Sequence, residues 1–113
     1  MDLGLLGKTA VVIARGLAET TTGTGVTVNS VLVGPTASEG VAQFFDGLAK
    51  QQGVSPAELE RQFFAAVRPT SLLKRFETPE EVAAVVAFVA GTTATTINGA
   101  AVRADGGVVR SIL

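Results

Sequence analysis

The chain contains no cysteine, no histidine and no tyrosine. Without cysteine there is neither a disulfide nor a thiolate metal site, and nothing marks a redox compartment. Without histidine the commonest general base and metal ligand is gone. Proton transfer would have to fall to lysines and carboxylates, and no segment gathers these into a recognisable constellation, so no catalytic residue and no metal site are expected. Charge is also scarce. Charged residues make up 17% of the chain, the net charge is −1, and no basic stripe stands out, so nucleic acid is not an expected partner. The longest apolar run, Val82 to Ala90, is too short to span a bilayer, and no membrane partner is expected. The first residues carry an acid at Asp2 and no long apolar region, unlike a signal peptide. A cytoplasmic protein is the resulting expectation.

What is present is apolar. Hydrophobic residues are 47% of 113 residues, more than in an ordinary soluble domain. The length suits one small domain, residues 1–113, with no linker or repeat array visible. So short a chain buries a modest share of its surface, and the apolar excess must enter a core or a subunit interface. Self-association is therefore expected.

Helix starts are written clearly. Ser55-Pro56-Ala57-Glu58 and Thr78-Pro79-Glu80-Glu81 are capping boxes with proline at the first helical position. Leu59, Phe63 and Val67 follow on one face of the first, and Val82, Val86 and Val89 on one face of the second. Ser38 caps another helix, striped by Val41, Phe44, Phe45 and Leu48, which should stop before Gly53; the last should stop near Gly91. Glu80 and Glu81 are explained by their helix N-terminus, where negative charge is favourable. Val26 to Val33, β-branched and bounded by Gly25 and Gly34-Pro35, predicts a buried strand. Ala100 to Ala104, closed by Gly106-Gly107, is a weaker strand candidate. The threonine-rich stretches 20–24 and 92–96 read as loops that end helices. Residues 9–21 read as one helix, since no turn former separates Val12 from Arg15; a strand over 9–13 is the alternative. Strands separated by helices imply a parallel sheet. The expected class is α/β, with two or three strands and about four helices.

Three segments carry a resemblance. They are Gly25-Val-Thr-Val-Asn-Ser-Val-Leu-Val-Gly-Pro-Thr36, then Arg75-Phe-Glu-Thr-Pro-Glu-Glu-Val-Ala83, then Asn98-Gly-Ala-Ala-Val-Arg-Ala-Asp-Gly-Gly107. In this order and spacing they resemble the C-terminal half of a short-chain dehydrogenase/reductase, which implies an incomplete Rossmann-like parallel sheet. Residues 1–13 resemble the start of that family, with its Leu-x-Gly-Lys-Thr-Ala, and residues 14–113 its second half. The chain reads as if the two were joined directly.

The resemblance implies NAD(P) as cofactor and oxidoreductase chemistry, but the chemical motifs are missing. No glycine-rich turn follows Val12, the family's Asn-Ala-Gly is absent, and there is no Tyr-x-x-x-Lys pair: Gly4 stands four before Lys8. Hydride transfer to a carbonyl builds an alkoxide that needs a proton donor in reach; in the family that donor is tyrosine. One fragment survives. Gly34, Pro35 and Thr36 resemble the loop that closes over the nicotinamide, with Val33 in place of its first proline, and Ser38 opens the helix beyond, whose N–H groups could meet an anion. A strand-to-helix turn with a serine cap explains the same residues. The expectation is a vestigial cofactor loop on a truncated, non-catalytic, self-associating chain that binds no cofactor by itself. The alternatives are an NAD(P)-dependent oxidoreductase that needs a partner for its missing half, and an interaction partner of a full-length relative. In the family the last helix and last strand, together with the helix ending here at Glu19, pack against other subunits.

Overall fold

The computed structural model describes residues 13–112. Lys8, the strand alternative over 9–12 and the family-like start of the chain lie outside the described residues. Four helices and two strands are described: α1 over residues 13–20, β1 (Ser30–Val33), α2 (Glu39–Gln52), α3 (Pro56–Ala66), α4 (Pro79–Ala90) and β2 (Ala101–Ala104). The strands pair in parallel, as the donations from Ser30 N–H to the Ala100 carbonyl and from Gly34 N–H to the Ala104 carbonyl show. This is the expected α/β class with an incomplete Rossmann-like sheet. Among the described residues no helix is long and apolar enough to cross a membrane. The described residues divide into two compact units, residues 13–32 with 83–103 and residues 33–82 with 104–112.

In the first unit residues 13–20 are helical, as the one-helix reading expected for this part of the segment. Ala14 and Ala18 are buried one turn apart, and Arg15 pairs with Glu19 at the i, i+4 spacing that a helix brings together. The helix ends in the threonine run. The hydroxyls of Thr20, Thr21 and Thr22 donate back to the carbonyls of Leu17, Ala18 and Glu19, satisfying groups that the last turn leaves open. The predicted strand over Val26 to Val33 is too long at its start, since β1 begins only at Ser30. Before it, one backbone bond, from Gly99 N–H to the Val28 carbonyl at 2.8 Å, is flanked by side-chain bonds. Val28 N–H donates to Asn98 Oδ1 at 3.0 Å, and Asn29 ties both ways, donating to the Ile97 carbonyl at 2.9 Å and accepting from Ala100 N–H at 3.1 Å. Val89 and Ala94 complete the buried apolar set of this unit. Val86, expected on the inner stripe of α4, is exposed.

In the second unit the caps are as written. Ser38 accepts from Val41 N–H, and Gly53 closes α2 in the left-handed conformation that glycine adopts without a Cβ penalty. Ser55 accepts from Glu58 N–H, but Glu58 does not reach back; its carboxylate takes Arg61 and Gln62 instead. Thr78 and Glu81 make the complete reciprocal box, at 2.9 and 3.1 Å. The core here is aromatic. Phe63 and Phe76 each stand against Phe45, Phe64 and one another, with ring centroids 5.0 to 5.6 Å apart, and Phe64 is 2% exposed. Two expected core positions fail. Phe44 is exposed, because α2 turns Phe45 and Ala49 inward. Val67 is exposed because it is the C-cap of α3, past the last helical turn.

Candidate functional site

The loop that leaves β1 is held from two sides. Gly34 approaches the chain beyond β2 so closely that a Cβ there would lie 2.7 Å from the Asp105 carbonyl oxygen, 2.8 Å from Asp105 Cα and 2.8 Å from Glu77 Oε1. Only glycine fits such an approach. Glu77 then clamps the next residues through its backbone. Its N–H donates to the Pro35 carbonyl at 2.9 Å and its carbonyl accepts from Ala37 N–H at 2.8 Å, an isolated parallel bridge opposite Thr36. Thr36 donates its hydroxyl to the Gly34 carbonyl, and Ser38 N–H donates to the Thr36 carbonyl.

The sequence-predicted residues Gly34, Pro35, Thr36 and Ser38 are thus brought together in one turn. Their polar groups are largely engaged inside the protein: the N–H groups of Gly34, Ala37 and Ser38 are bonded, and the Ser38 hydroxyl caps α2. Thr36 is engaged too, its hydroxyl on the Gly34 carbonyl and its carbonyl under the Ser38 N–H. Glu39 follows directly in the first turn of α2 and would oppose a phosphate there. Among the described residues these groups do not compose a complete dinucleotide site, and no group of three or more potential metal ligands is found.

Two acidic residues, neither singled out as a site, lie under the loop. Asp105 is a capping aspartate whose carboxylate accepts from Gly107 N–H at 3.0 Å and Val109 N–H at 3.1 Å, an Asx-type turn that fixes the Asp-Gly-Gly segment. Glu77 is buried at 6% exposure, and its Oε1 has no hydrogen-bond partner among the described residues. Burial pushes the Glu77 carboxyl above the ordinary glutamate value of 4.5, helped by the like charges of Asp105 and Glu81 and opposed by the Gly34 N–H and Arg75. One sequence signal could have found it: Glu77 precedes the Thr78 cap, so the helix N-terminus that explains Glu80 and Glu81 does not explain it. A separate groove of about 460 Å³ in this unit has Leu72, Lys74, Val109 and Arg110 among its lining residues and none of the loop residues.

A parallel strand pair with a glycine-bearing turn into a helix is the framework of a dinucleotide-fold protein, present here in part. Residues 8–109 match the family model described as enoyl-(acyl carrier protein) reductase. The chain belongs to the short-chain dehydrogenase/reductase family. It is 47% identical over 106 residues to the uncharacterized oxidoreductase YvrD of Bacillus subtilis (strain 168), covering 93% of this chain and 40% of that protein. It is 46% identical over 100 residues to the uncharacterized oxidoreductase YvaG of the same organism, covering 88% and 38%. Among solved structures, YwfH, an NADPH-dependent reductase involved in bacilysin biosynthesis, superposes with a TM-score of 0.71 at 27% identity, over 93% of this chain and 38% of that one. L-sorbose reductase from Gluconobacter frateurii, complexed with NADPH and L-sorbose, shares the fold with a TM-score of 0.80 at 22% identity, over 93% and 39%. The chain therefore spans about two fifths of the length of these relatives.

Proposed function

We propose that these 113 residues are a non-catalytic, self-associating portion of the dehydrogenase/reductase scaffold, which keeps the cofactor loop as a structural turn. One observation carries the reading: the sequence has no tyrosine, histidine or cysteine and no glycine-rich turn after Val12. An alkoxide formed by hydride transfer would meet no proton donor of suitable chemistry, and a pyrophosphate would meet no nest of N–H groups. The loop around Thr36 alone offers too few contacts to offset the ordering cost of holding a dinucleotide.

A second reading is supported by the span of two fifths. In it the residues are one part of an NAD(P)-dependent oxidoreductase and contribute to activity when a partner supplies the other part; association with a full-length relative is its non-catalytic form. Purified chain titrated with NADH and NADPH, then assayed with a panel of alcohols and ketones, is expected to give neither saturable binding nor turnover. Turnover that disappears when the chain is removed would overturn the first reading. Activity gained, or capture seen, only on mixing with a relative would favour the second.

A further inference from the structure

We propose that Glu77 is a proton-controlled latch on the Gly34–Ala37 turn, closed when its carboxyl is neutral and loosened when it ionises. Three features of the second unit meet at this residue. Its backbone holds the turn through the bonds to Pro35 and Ala37. Its side chain is buried, and Oε1 lacks a partner among the described residues. That oxygen faces the tightest approach of the turn, where Gly34 has no room for a Cβ between it and the Asp105 backbone.

The charges around it favour the neutral form. Beyond β2, the Asp105 side chain accepts two backbone N–H groups and adds a like charge beside Glu77. From the first turn of α4, Glu81 adds a second like charge. Arg75 is the cation nearby, but its guanidinium is engaged by both oxygens of Glu81, at 2.7 and 3.0 Å. From α3, Glu60 accepts the Phe76 N–H and brings no donor to Glu77. The Gly34 N–H is the donor that favours the ionised form, and it already donates to the Ala104 carbonyl, so a buried, ionised Glu77 is poorly solvated and costly. A neutral carboxyl instead has an O–H to give and carries no charge to bury; Glu77 Oε1 and the Asp105 carbonyl oxygen both border the place a Gly34 Cβ would take, at 2.8 and 2.7 Å from it. The step is one proton, taken from solvent and returned to it, with no other bond changed.

The sign follows from the direction of the shift. A carboxyl more basic in the folded state than in the unfolded one stabilises fully below its unfolded value, and that contribution is lost as pH rises through the folded value. Ionisation should therefore loosen the turn as pH rises, opposite to the usual behaviour of a paired carboxylate.

The test is a pH titration of the full chain, labelled with ¹³C at glutamate carboxyls and with ¹⁵N. The Glu77 carboxyl is expected to titrate above 4.5. The Gly34 and Ala37 amide resonances should shift at the same midpoint, and Ala37 amide exchange should quicken above it beyond the intrinsic base-catalysed rise. Glu77→Gln, neutral throughout, should abolish that step and keep Ala37 slow. A Glu77 midpoint at or below 4.5 would overturn the proposal, as would Ala37 exchange without a step at that midpoint. Both readouts come from the unmodified chain, so the outcome stands even if the glutamine variant fails to fold.

Discussion

Two glycines show how differently one residue type can be required. Gly34 sits where a methyl group would strike backbone atoms at 2.7 and 2.8 Å, and backbone cannot swing aside as a side-chain end can. Gly47 lies inside α2 with nothing within 4 Å of its would-be Cβ. Gly34→Ala is expected to destabilise by about 1–3 kcal/mol, the usual range for overpacking. Gly47→Ala should stabilise by about 0.5–1 kcal/mol, through lower chain entropy in the unfolded state. Urea denaturation of both variants checks this; equal shifts of the midpoint would show that the approach at Gly34 is relieved by easy movement. Lys74 is a third special position. It is the non-glycine residue with positive φ among those described, at 60°, held there by its N–H bond to the buried Ser71 hydroxyl and by its ammonium on the Pro69 carbonyl. Nothing in its chemistry announces such a conformation, because the constraint comes from the turn around it.

Caps operate at the scale of the element, and each is a small set of hydrogen bonds. Thr78 and Ser55 were read as equal boxes. The structure separates them, because Glu81 returns to the Thr78 N–H whereas Glu58 is drawn away by Arg61. Thr78→Ala should therefore cost more than Ser55→Ala, about 1–2 against about 1 kcal/mol; a reversed order in chemical denaturation would contradict the geometry. Glu81 also sets an acid limit. The Arg75 hydrogen bond, then the Thr78 N–H, lower its pKa from 4.5 to about 2. A lowered carboxylate stabilises above its unfolded value and loses that contribution as pH falls through the folded one, so the cap of α4 should weaken between pH 4.5 and about 2. Arg75→Met should flatten that limb of the stability profile, and an unaltered profile would argue against it. Helix starts and stops were legible because caps are local chemistry, carried by Ser38, Gly53, Ser55 and Thr78. The start of β1 was not, because Asn98, 70 residues away in sequence, takes the Val28 N–H, and the Asn29 side chain bonds the remote Ile97 and Ala100 backbone. The candidate turn at Gly34 was legible from its residues. Its clamp at Glu77 was not, since burial of a lone carboxyl depends on what folds over it.

At the scale of the whole molecule the apolar excess reappears as surface. In the first unit Ile13 and Leu17 of α1 are 65% and 53% exposed, and Val86 and Phe88 of α4 are 47% and 57% exposed. After Glu81, α4 carries no polar side chain at all, yet Val89 is its buried residue. A helix apolar on every side belongs in a core or an interface. Beside it runs a groove of about 220 Å³, lined by Val31, Val86 and Val89 with Thr27, Asn29 and Ala90. Covering about 200 Å² of such surface is worth about 5 kcal/mol, a large part of what a small domain has, roughly 5–15 kcal/mol. A second copy presenting the same helix would do this symmetrically, and self-association through α4 is the expected outcome. Phe88→Asp should weaken it, and because Phe88 is more than half exposed the subunit should keep its helical circular dichroism. Sedimentation across a dilution series reads the association, and thermal melting at the same concentrations reads its contribution to stability. A folded monomer at micromolar concentration, with a cooperative transition that does not move on dilution, would show that the apolar face of α4 needs no partner copy.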